Sequence, residues 1–204
     1  MSTIDLTSDL LLSAYTQGYF PMADHRHGEI AWYRPQVRAI LRFEDLRISR
    51  SLSKVVRSGE YTISLNQAFS EVIHACATLR EETWISPEIE HVYSELYSLG
   101  FAHSLEAWYD GVLVGGLYGV AINGVFFGES MFHRRRDASK VCLVHLVDHL
   151  IQREFLLLDC QYINPHMESL GATEIIASDY DLLLHQALRQ PSTFLDTTPF
   201  LSLY

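Results

Sequence analysis

Apolar residues recur along the chain with two periods, and the switches between them divide it into elements. Leu10, Leu11 and Leu12 follow three N-cap candidates, Thr7, Ser8 and Asp9, and precede Gly18, which predicts a helix over Asp5–Gly18. The stretch YFPMADHRHGEIAWYRP has aromatic anchors and no period, and Pro21 and Pro35 predict irregular chain. A boundary near Pro35 sets off a small N-terminal domain, residues 1–35, from a larger one, residues 36–204.

Tyr61–Leu65 alternates like a strand. Asn66 then stands as cap to a helix whose Phe69, Val72, Ile73 and Cys76 follow the i, i+3, i+4, i+7 rule. Ser86 and Pro87 predict a second helix start, with Ile89, Val92, Tyr93 and Leu96 on one face and Gly100 behind. Three strands follow, HSLEAWY, VLVGGLYGVAI and VFFGESMF, joined by the hairpin dipeptides Asp110-Gly111 and Asn123-Gly124. The glycines of VGGLYG fall inside a strand, where bulges and close packing explain them better than nucleotide binding. A helix from about Ser139 to Arg153 turns Leu143, Leu146, Val147, Leu150 and Ile151 inward, and FLLLDCQYI is a continuous apolar strand fit for a sheet centre.

The chain has 204 residues, 48% of them hydrophobic, and a formal net charge of −10. It can bury a sizeable core, and no window is a membrane span. The opening MSTIDLTSDLLL lacks a positive n-region, and Cys76, Cys142 and Cys160 lie far apart in apolar contexts, so reduced thiols in the cytoplasm are expected. The acidic balance argues against a coat of non-specific nucleic-acid contacts but leaves room for one local phosphate site. Arg134, Arg135 and Arg136 with Lys140 are the best candidate; Arg34, Arg38 and Arg42 are a looser set. By itself a triple arginine is more simply a solvated charge run.

Asp159 and Gln161 emerge at the end of the run FLLL, and Glu129 interrupts VFFGESMF. A desolvated carboxylate needs a partner or a task, and two on neighbouring strand ends can orient an amine or take its proton. Cys160 with His166 suggests a thiol nucleophile. Strand alternation, however, points Cys160 away from Asp159 and Gln161 into packing. His145 and His149 lack a third ligand, so no metal site is expected. Trp84, at a loop-to-helix junction, is packing or a stacking platform for a base.

The order strand, two helices, three-strand meander, helix, buried strand is that of an α+β, GNAT-like (acyl-CoA N-acyltransferase-like) domain, with a mixed, largely antiparallel sheet flanked by helices. In that fold the turn after the meander cradles a pyrophosphate with glycines. Here it reads HRRRDASK and holds none, which weighs against the alternative of a coenzyme A-dependent N-acetyltransferase.

LSAYTQGYFPM, REETWIS, AHSLEAW, VGGLYGV, FFGESMF, ASK and LLDCQYINPHMESLGA, in this order over nearly the whole chain, resemble the leucyl/phenylalanyl-tRNA–protein transferase family. The resemblance implies a small N-terminal domain before a GNAT-like one. It implies transfer of Leu, Phe or Met from aminoacyl-tRNA to proteins beginning with Arg or Lys, marking them for degradation, with no metal, coenzyme A or membrane. A monomer is expected.

By the same resemblance Asp159 and Gln161 carry the amine's attack on the ester, with Glu129 the acid of GESMF. Two roles stand for Asp159, taking the proton itself or polarising Gln161, while Gln161 orients the amine or stabilises the oxyanion. Trp84 contacts the terminal adenosine, and Leu117, Met131, Leu146, Leu150 and Leu158 build the apolar pocket for the donor side chain. Met22 stands where many members have Trp. Arg134, Arg135, Arg136 and Lys140 are expected to meet tRNA phosphate.

Overall fold

The structure, a computed structural model, describes residues 6–80 and 82–196. Helix α1 (Ser8–Thr16) is capped by Thr7, whose hydroxyl accepts from the Leu10 amide. Asp5, the start expected from the sequence, lies outside the described residues. The segment expected to be irregular is instead a hairpin, β1 (Phe20–Ala23) and β2 (Ile30–Tyr33), which forms its own two-stranded sheet. Pro21 is tolerated because the sheet ends there: β1 has a single neighbour strand, so one side of its backbone needs no ladder partner.

Seven strands build the main sheet, in the order β4-β5-β6-β7-β8-β3-β9. Strand β3 (Val37–Ile40) is followed by helix α2 (Arg50–Ser58), β4 (Thr62–Leu65), α3 (Phe69–Thr78) and α4 (Pro87–Ser98). The meander is β5 (Ala102–Tyr109), β6 (Val112–Ile122) and β7 (Val125–His133); α5 (Ala138–Gln152) leads to β8 (Leu157–Gln161). Helix α6 (Pro165–Ser169), β9 (Thr173–Ile176) and α7 (Ala177–Arg189) close the described fold. β7 and β8 pair in parallel and every other ladder of the sheet is antiparallel. The sheet has a core on each face. Helices α1, α3, α4 and α7 cover one, and α2, α5 and α6 the other.

Local signals set most of these boundaries. Ser86 accepts from the Ile89 amide with Pro87 in the first turn of α4. Asp110 and Gly111 both take positive φ, 50° and 75°, as the tight β5–β6 turn requires. A Cβ on Gly115 would lie 2.6 Å from the Ala138 Cβ, so glycine lets the start of α5 approach β6. Asn66 does not cap α3. It turns with φ 57° and accepts the Ser104 amide, while buried Glu106, from β5, takes the free amides of Gln67 and Ala68. Ile151, expected inward, is 52% exposed.

Candidate active site

β7 and β8 stay paired only from Val125–Phe127 to Leu157–Asp159 and then part. The register between β6 and β7 slips at Tyr118/Gly119, so Glu129 is an extra residue in β7. Such a bulge breaks the alternation of side chains and re-aims the residues beside it. Glu129 thereby faces the gap between the strands. Its Oε1 accepts from the Tyr15 hydroxyl at 2.6 Å and from Gln161 Nε2 at 3.2 Å, and its Oε2 accepts from the Tyr93 hydroxyl at 3.1 Å. Tyr15 and Tyr93 are also hydrogen-bonded to each other. Burial pushes the Glu129 carboxyl up to about 7, against the pull of the two phenol hydrogen bonds; the Asp159 charge adds to the rise and Arg38 opposes it.

Asp159 sits differently. It was expected to act beside Gln161, but it does not line the cleft: it is fully buried. Arg38, 1% exposed, clamps it with Nε–Oδ1 at 2.9 Å and Nη2–Oδ2 at 2.6 Å. Tyr180 donates to Oδ2 at 2.7 Å and the Gln161 amide to Oδ1 at 2.9 Å. The Arg38 guanidinium lies between the Phe20 and Tyr180 rings, 4.5 and 4.7 Å from their centroids, and gives its remaining nitrogen to the Gly18 carbonyl. Every oxygen lone-pair direction that matters is taken, so Asp159 is a structural ion pair that fixes the Gln161 backbone. Gln161 itself has φ 54°, which breaks strand alternation and sends its amide toward Glu129.

The parted strands open a cleft of about 550 Å³. Its lining includes the apolar Leu117, Met131, Leu143, Leu146, Leu158, Cys160 and Met167, together with Trp84, Tyr118, Glu129, Gln161, Phe20 and Met22. Met22, Trp84, Leu117, Met131, Leu146 and Leu158, singled out from the sequence, all line this one cavity. Leu150 does not line it: one turn beyond Leu146, it is sunk fully into the core under α5, and Leu143 and Met167 take wall positions instead. Cys160 was expected to turn away from the site. It does oppose Asp159, but the parting of β8 from β7 leaves its face on the cleft wall. Burial and then the Asp159 charge push its thiol up, which is wrong for a nucleophile. Trp84 is tied to β1, its carbonyl accepting the Ala23 amide at 3.2 Å.

The arginine turn lies off the cleft. Arg134 donates to the Leu113 carbonyl and stands over Phe132; Arg135 pairs with Glu60 at 3.3 Å over the Tyr109 ring. Arg136 is exposed, and Lys140 reaches Asp137. The looser set dissolves: Arg34 pairs with Asp181, Arg38 is buried, and Arg42 meets Asp45. Helix α2, which the sequence did not announce, runs beside the turn, and its Lys54 shares a surface groove with Arg135 and Arg136. Arg47, Arg50 and Arg57 are exposed around it, so basic residues concentrate on this side of an acidic chain. A serine-capped helix with one buried residue, Leu52, gives no apolar period to read. Three further basic side chains line the cleft itself, Arg80, His133 and His166. Single histidines carry no spacing signal, and Arg80 closes a helix end.

No helix among the described residues is long and apolar enough to cross a membrane. Known proteins match most of this chain in sequence. A family model described as leucyl/phenylalanyl-tRNA protein transferase matches residues 40–185, and one for the N-terminal domain of the same family matches residues 4–36. A leucyl/phenylalanyl-tRNA–protein transferase of Ruegeria sp. is 52% identical over 93% of this chain and 90% of its own. One from Chlorobaculum parvum is 50% identical over 91% of this chain and 97% of its own. Among solved structures, a GCN5-related N-acetyltransferase from Kribbella flavida is similar at TM-score 0.42 and 16% identity, over 69% of this chain and 54% of that one. With GESMF supplying the bulged Glu129 and DCQ the Asp159–Gln161 pair, inside a match that runs from residue 4 to residue 185, the chain belongs to the leucyl/phenylalanyl-tRNA protein transferase family.

Proposed function

We propose that this protein transfers Leu, Phe or Met from aminoacyl-tRNA to the α-amino group of proteins with N-terminal Arg or Lys. The observation that carries the reading is the cleft, whose lining joins apolar side chains to a carboxylate and a carboxamide on parted strands. The donor side chain lies against the apolar side chains, so its ester carbonyl stops beside Gln161 and Glu129. Trp84 offers a face to the terminal adenine.

Holding ester and amine together is worth up to ~7–11 kcal/mol in favourable systems, and the ester is already activated. Glu129 is the proton acceptor in this scheme, because it reaches the cleft and its ordinary range is raised toward neutrality. The amine nitrogen attacks the carbonyl carbon and its proton passes to Glu129. The carbon–oxygen bond to the ribose then breaks, and the ribose oxygen leaves with that proton. Gln161 is held by Asp159 through its backbone and by Glu129 through its side chain; its remaining oxygen orients the amine. Asp159 acts as a positioning residue. Among carboxylates only Glu129 lines the cleft within the described residues, so it also supplies the attraction for a basic N-terminal residue. The basic side formed by α2 and the arginine turn extends the tRNA contact.

The donor series tests this reading. Leu-, Phe- and Met-tRNA should serve well. Ile- and Val-tRNA should be slower, since branching at Cβ crowds the entrance, by only ~1–3 kcal/mol because shape alone discriminates weakly. Asp- and Lys-tRNA should be poor donors, because Leu117, Leu143, Leu146 and Leu158 would strip water from a charged side chain. Leu146→Phe should shorten the pocket and cut Phe transfer about tenfold, more than Leu transfer. Equal use of Phe and Lys donors would contradict the assignment.

A further inference from the structure

The cleft wall carries a cluster that the transfer chemistry leaves unused. Arg80 follows α3, His133 ends β7 and His166 lies on α6, and all three line the same cavity. Two of them meet at Met131. Arg80 Nη2 donates to the Met131 carbonyl at 3.1 Å, and His166 Nε2 lies 3.3 Å from the Met131 sulfur. Among the described residues none of the three is ion-paired, although the chain carries 25 acids against 15 Lys and Arg. A guanidinium without an ion-pair partner and two imidazoles, drawn from three elements to one cavity in a protein this acidic, offer hydrogen-bond donors suited to an anion. The His166 imidazole registers that crowding: burial, then Lys140, His133 and Arg80, hold it below the usual histidine range.

We propose that Arg80, His133 and His166 form a site for one phosphate, the 5′-phosphate of the terminal adenosine whose ribose carries the aminoacyl ester. The inference rests on the aminoacyl-tRNA reading and deepens it. Met131 supplies the geometry: its side chain lines the donor pocket while its carbonyl holds Arg80 and its sulfur meets His166. Aminoacyl group and phosphate are attached to the same ribose, so a pocket and a basic rim that share a residue fit one nucleotide. Binding is thereby ordered from the rim inward, and the arginine turn and α2 are left to the helical part of the RNA. A phosphorylated adenosine is also part of coenzyme A, and the test separates the two sources.

The probes are non-hydrolysable 3′-phenylalanylamido-adenosine analogues, one with and one without a 5′-phosphate, and binding is read from tryptophan fluorescence. The unmodified protein should bind the phosphorylated analogue about tenfold tighter or more, as charge-assisted contacts to phosphate require. Arg80→Gln, and His133→Asn with His166→Asn, should each bring that ratio close to one while the unphosphorylated analogue binds as before. Arg153→Ala, at a residue that pairs with Asp196 and does not line the cleft, should leave the ratio unchanged. A ratio near one in the unmodified protein, equal weakening of both analogues by the variants, or displacement of the phosphorylated analogue by coenzyme A at matching concentration would overturn the proposal. Failure of both analogues to bind the folded protein would instead strike the transfer reading on which it rests.

Discussion

Asp159→Ala is expected to destabilise the fold by about 3–5 kcal/mol, because it strands the Arg38 guanidinium in the core without its counter-charge. Arg38 is 1% exposed and Asp159 fully buried, and Tyr180 and the Gln161 amide lose their acceptor in the same step. Breaking one side of a buried pair is far worse than removing both, so Arg38→Met combined with Asp159→Leu should recover much of the loss. Urea unfolding of the three proteins measures this. The recovered double variant should still transfer poorly, since Gln161 no longer has its anchor and its positive φ is unsupported. An Asp159→Ala protein that unfolds at the parent midpoint would show that Asp159 is not the keystone described above.

Glu129→Gln is expected to lower transfer by on the order of 10²–10⁴-fold while the fold is kept. The amide preserves shape and can still accept a hydrogen bond from Tyr15 or Tyr93, but it cannot take the amine's proton. The pH dependence carries a second signature. Only the ionised carboxylate is a base, so the parent's rate should fall as pH drops through about 7, and the variant's residual rate should lack that limb. Stability should move the other way. A carboxyl raised from 4.5 to about 7 by folding stabilises the protein below pH 4.5, and that contribution is lost as pH rises through 7. Glu129→Gln escapes the loss, so it should outlast the parent in urea at pH 8, with the gap narrowing toward pH 4.5. Activity and stability changing in the same direction at pH 8 would place Glu129 in the scaffold.

The parts legible in the sequence are those written in neighbouring residues. Asp110-Gly111 and Asn123-Gly124 turn where expected, and Ser86-Pro87 starts α4 because cap and fixed φ act within one turn. What stayed hidden depends on distant partners. β3 looks broken by a charged residue until Asp159, 121 positions away, neutralises Arg38. The β1–β2 hairpin carries Pro21, tolerable only on a strand with one neighbour. The three polar groups of the site were visible as strand-end residues. Their division of labour was not, because the bulge at Glu129 and the positive φ of Gln161 override the alternation by which side chains are assigned to faces. For the same reason Cys160 reaches the cleft wall that alternation denied it.

The central claim is that the cleft joins an aminoacyl ester to an α-amine. The most direct measurement mixes the purified protein with Phe-tRNA and a peptide beginning with Arg, then reads the peptide by mass spectrometry. The expected product is the same peptide lengthened by one N-terminal Phe, formed as the tRNA is discharged, with no product when acetyl-CoA replaces the tRNA. A folded protein that leaves the peptide unextended, or that acetylates it instead, would contradict the account.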